Sequence, residues 1–77
     1  MSVSSVTTID TTYAVRLDQV DANTLYIGEA PIGSAEANPV WRIRKFLVSG
    51  TVSSIYWADG NQQFDNIWDN RASLTYV

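Results

Sequence analysis

At 77 residues the chain is long enough for one domain, and a chain of this size buries only about 60% of its unfolded surface on folding. It has no cysteine and no histidine, which removes disulfide staples and a zinc site of the ordinary ligand set. Five Lys and Arg against eight Asp and Glu give a net charge of −3, which argues against a general nucleic-acid binder, because phosphate attraction needs a cationic face.

No apolar run approaches the roughly 20 residues of a membrane span. The start, MSVSSVTTID, lacks the basic and apolar regions of a secretory signal, so the expectation is a chain made in a cytoplasm and not exported by that route. Without staples, a chain this small is stabilised by dense aromatic packing or by association with other subunits.

Residues 1–11 are rich in Ser, Thr and Val, a composition that suits an extended N-terminal arm. Such an arm is either a first edge strand or loose tail of its own domain, or a strand added to a neighbour's sheet edge. Residues 12–77 read as a single β domain. Over 12–18, Tyr13, Val15 and Leu17 face one way and Thr12, Ala14, Arg16 and Asp18 the other, the pattern of a half-buried strand. Asp21, Ala22 and Asn23 suit a turn. A second strand covers 24–30, with Leu25, Ile27 and Glu29 on one face and Tyr26, Gly28 and Ala30 on the other. Gly28 inside a strand predicts a bulge or the close approach of a large ring such as Trp41.

PIGSAEANP, residues 31–39, has no period and reads as a loop, either a plain connector or a carrier of partner contacts. The strongest strand signal is VWRIRKFLV, residues 40–48. Trp41 and Ile43 alternate with Arg42 and Arg44, and the apolar parity then switches to Phe46 and Val48. A β-bulge near Arg44 and Lys45 would return those two to the core side; the alternative is a strand covered on both faces, by its own domain and by a neighbour. Ser49 and Gly50 turn the chain into a strand over 52–58, closing the hairpin.

The segment 57–76 holds two of the three tryptophans. Asp59, Gly60 and Asn61 allow a reversal. Phe64, Ile67, Trp68 and Arg71 then fall on one face of a short helix, and Ala72, Leu74 and Tyr76 alternate as a last strand. A Trp can bury about 150–250 Å², so these rings are read as a mini-core, with an exposed ring acting as a ligand platform as the sharper alternative. The chain sums to five or six short strands and one helical turn near residues 64–70. The expected class is all-β, a small antiparallel β-sandwich or barrel.

Enzyme constellations are missing: with no His and one Lys, Lys45, a Ser nucleophile finds no ordinary base. Asp65 and Asp69, at i and i+4, read as a solvated edge. Asp59, Asn61, Gln63, Asp65, Asn66 and Asp69 concentrate oxygen ligands but not in EF-hand order, so turn and cap chemistry is the preferred reading and no metal or cofactor is assigned. Arg42, Arg44 and Lys45 form the basic cluster. It pairs with Glu29 or Glu36, or meets an acidic neighbouring subunit. Trp57, Asp59, Asn61, Trp68, Asp69, Asn70 and Arg71 supply the residue types of a sugar site.

The pattern Tyr26-Ile27-Gly28, Ala30, Gly33, Trp41-Arg42-Ile43, WADG at 57–60, Phe64 and WDNRASLTY at 68–76 resembles a group of short, virion-associated or uncharacterised proteins encoded by tailed bacteriophages. The similarity covers residues 24–77, and WDNRASLTY is its most specific part. It implies a structural role in the virion, as capsid decoration or cement or as a tail or fibre component. Expected partners are copies of itself, as a homo-oligomer, and other virion proteins, with no nucleic acid and no membrane. The rival is a carbohydrate-binding adhesin module at a tail tip, touching host surface glycans.

Overall fold

The computed structural model describes residues 13–77, so the expected arm at residues 1–11 lies outside the described residues. The fold is antiparallel and all-β, with one short 3-10 helix. Strands β1 (Tyr13–Asp21), β2 (Thr24–Pro31), β3 (Pro39–Ser49) and β4 (Val52–Trp57) form a meander in the order β1-β2-β3-β4, and a two-residue β5 (Asn66–Ile67) pairs with the start of β3. The expected all-β, antiparallel class with one short helical turn is present, as a sheet that does not close into a barrel.

Local chemistry explains the turns. At the first hairpin the Asp21 carboxylate accepts the Asn23 N–H at 2.8 Å, an Asx-type turn. In the β3–β4 hairpin, Ser49 opposes Val52, and Gly50 takes φ 62°. Positive φ at the first central position alone is the sign pattern of a type II′ turn, which glycine accommodates without strain. The expected β3–β4 pairing is present and its register is continuous from Arg44↔Trp57 to Ser49↔Val52.

The bulge expected near Arg44 and Lys45 is not there. Pairing of β2 with β3 also runs unbroken from Thr24↔Leu47 to Glu29↔Arg42. Strict alternation therefore sends Trp41, Ile43, Lys45 and Leu47 to one face and Arg42, Arg44, Phe46 and Val48 to the other. β3 carries apolar side chains on both faces.

All of the core is on the first face. Tyr26, Ala30, Trp41, Ile43, Ala58 and Trp68 are buried, with Trp41 and Ile43 the largest fully buried side chains. The cover is the C-terminal segment. After β5 the chain makes the 3-10 helix Trp68–Ser73, later than the expected 64–70 turn, because Asn66 and Ile67 are held extended against Pro39 and Trp41. Phe64 and Ile67 are therefore not on a helix. The expected last strand is reduced to bridge-like pairing: Asp59 N–H donates to Thr75 O at 2.8 Å, and Trp57 and Val77 exchange bonds of 3.3 and 3.1 Å.

Candidate functional site

The core face is tied down by polar contacts around its aromatic rings. Trp68 and Trp41 lie tilted with centroids 6.0 Å apart. The Trp41 indole N–H donates to Ala35 O at 3.0 Å, and Asp69 N–H donates to Glu36 O at 3.2 Å. Arg71 sits 4.5 Å from the Trp68 ring. It donates to Asp18 at 2.9 Å and to Trp68 O at 3.1 Å. The Tyr76 hydroxyl donates to Arg71 O at 2.7 Å. The loop between β2 and β3 is thus engaged by its own domain, with Arg16 adding an ion pair to Glu36 at 2.7 Å.

The opposite face begins with a second aromatic group. Tyr13 stacks on Phe64 with centroids 5.5 Å apart. Arg42 lies 4.7 Å from Phe64, 5.4 Å from Tyr13 and 6.0 Å from Trp57, and Arg44 lies 5.2 Å from Trp57. Glu29 takes both guanidinium groups, at 2.9 Å from Arg42 and 3.6 Å from Arg44. Glu29 offsets one of the two positive charges at this end.

Beyond these pairs the same face turns apolar. The registers Leu17↔Ile27 and Ile27↔Arg44 form one row; Gln19↔Leu25, Leu25↔Phe46 and Phe46↔Ile55 form the next. Leu17 on β1 is 66% exposed and Ile55 on β4 is 55% exposed. Leu25, Ile27, Phe46 and Val48 between them are half-buried. A recess of about 220 Å³ opens at one end, lined by Gln19, Leu25, Phe46 and Val48 with the β1–β2 turn.

The residues singled out from the sequence do not converge. Arg42, Arg44 and Trp57 share the second face, whereas Lys45 is on the core face, 5.2 Å from the Tyr76 ring. The expected basic cluster is split by strand alternation. Trp68 is only 4% exposed, so it offers no stacking platform. Asp59, at φ 60°, and Asn61, whose side chain accepts the Gln63 N–H at 3.0 Å, are in the exposed turn after β4. Arg71 is committed to Asp18 and Trp68. The sugar-type residues are thus divided between two faces and a turn.

Among the described residues, no group of three His, Cys, Asp or Glu is placed to hold a metal ion, and no helix is long and apolar enough to cross a membrane. The residue types of the sequence point to Arg and Trp contacts, and only the two-faced reading of β3 anticipates part of the apolar rows. Leu25, Ile27 and Phe46 fall on the parity opposite the core residues of β2 and β3, and pairing aligns Leu17 and Ile55 with them. Comparison with protein-family models, curated proteins and solved structures gave no match.

Proposed function

We propose that the chain is a non-enzymatic structural component of a tailed-phage virion, a capsid decoration or cement protein or a tail or fibre part, that acts through contacts between subunits. One observation carries the reading: the sheet is a single layer with a core on one face and the Leu17 and Ile55 rows open on the other. A contiguous apolar patch of a few hundred Å² is about the largest that a typical monomer shows to water, and such patches are often functional. A protein that works while packed against neighbours has a use for such a face. The resemblance of residues 24–77 to short phage proteins supplies the setting.

Quantitative mass spectrometry of purified particles of the encoding phage tests this. The reading expects the chain in a fixed, symmetric copy number. Its absence from particles, or a specific glycan bound by the purified chain and lost in Trp57→Ala with folding intact, contradicts it.

A further inference from the structure

We infer that the open apolar face is a self-association surface, on which a second copy of the chain packs face to face to complete a two-layer sandwich. This rests on the structural reading above and names the partner. Six side chains carry it: Leu17, Leu25, Ile27, Phe46, Val48 and Ile55. They span all four strands of the meander, with the most exposed members, Leu17 and Ile55, on the two outer strands. Sheets stack about 10 Å apart when their faces interdigitate, and the half-buried central side chains with protruding flanks give relief for that packing.

Charge decides between kinds of occupant. The nearest charged groups on this face, Arg42 and Arg44, are already paired with Glu29, and the two apolar rows hold no acid and no other cation. A nucleic acid, an anionic membrane or an acidic protein would find little to read there. Two copies that meet through the Leu25, Phe46 and Ile55 row, which holds no ionisable side chain, bring no like charges together at its centre, as a twofold, self-complementary interface requires.

Size is the second argument. Two rows across four strands about 4.8 Å apart, about four residues along each strand, give a footprint of roughly 250 Å² per face. Two such faces bury less than about 1,000 Å², the size of a weak, transient contact and not of an obligate one. The pairing is therefore concentration-dependent, and a dilution series reads its strength, because buried area alone does not set a dissociation constant.

Sedimentation velocity of the full chain across about 1–200 µM tests it, comparing wild type with Leu17→Asp, Ile55→Asp and, on the covered side, Ala72→Asp. All three positions are exposed, and near-UV circular dichroism of the buried Trp41 and Trp68 reports folding independently. The expected result is a concentration-dependent dimer whose dissociation constant rises at least tenfold in Leu17→Asp and Ile55→Asp and is unchanged in Ala72→Asp. A wild-type monomer throughout would overturn the inference, whether residues 1–12 or a different partner cover the face. So would a dimer weakened only by Ala72→Asp, or one indifferent to all three substitutions. A monomer found in particles at fixed copy number defeats this pairing alone; a dimer absent from particles defeats the virion assignment alone.

Discussion

The backbone of Gly28 is the surface on which the Trp68 indole rests: a Cβ at Gly28 would stand 2.5 Å from Trp68 Cε3 and 3.3 Å from Trp41 Cε3. The cover layer can approach the sheet because β2 has no side chain there. Gly28→Ala should destabilise the fold by about 1–3 kcal/mol through overpacking, although Ala in a strand interior is otherwise better than Gly by roughly 0.5–1 kcal/mol. Urea unfolding reads the sum. An unchanged or raised midpoint would mean that the indole moves aside freely.

Trp68→Ala should cost about 3–5 kcal/mol, a large share of the roughly 5–15 kcal/mol by which small domains are stable. Trp57→Ala, at a half-buried ring on the other face, should cost less. The same denaturation assay ranks the pair, and the reverse order would show that the C-terminal segment is not the layer that makes the core.

Alkaline stability should depend on Tyr76. Burial, reinforced by the neighbouring Tyr26, pushes its phenol well above the ordinary tyrosine value. The folded state then holds its proton more tightly than the unfolded chain. The contribution is fully present below about pH 10, the unfolded value, and is lost as pH rises from there through the raised folded value. Tyr76→Phe removes the hydrogen bond to Arg71 O, a loss of about 0.5–1.5 kcal/mol at neutral pH, and should flatten this alkaline decline. Denaturant midpoints between pH 8 and 11 for both chains give the comparison; parallel declines would contradict it.

Much of the sheet could be read from residue order. Gly50 turns the β3–β4 hairpin and Gly28 does admit a ring, with Trp68 closer than Trp41; β1 alternates as expected, but its Ala14, Arg16 and Asp18 side meets the core while Val15 and Leu17 are exposed. The ion pairs of Arg42 and Arg44 with Glu29 follow from the same register. Two expectations failed for identifiable reasons. Of the two readings of β3, the bulge assumes only one apolar face and is absent, whereas the alternative of a strand apolar on both faces matches the unbroken register. The helix over 64–70 rested on i, i+3 and i+4 spacing, but Asn66 and Ile67 gain sheet pairing with β3 that a local period cannot reveal. Which tryptophan is buried also depended on this long-range docking.

Incorporation of Leu17→Asp into particles tests the proposed assembly role of the open sheet face. Leu17 is 66% exposed and touches the buried core only through its backbone strand, so the substitution should leave the monomer folded. Quantitative mass spectrometry of particles from a phage carrying this change, against wild type, reads the outcome. The account predicts that the variant is depleted from particles at least tenfold while still made in the infected cell. Particles holding the variant at wild-type copy number would contradict it.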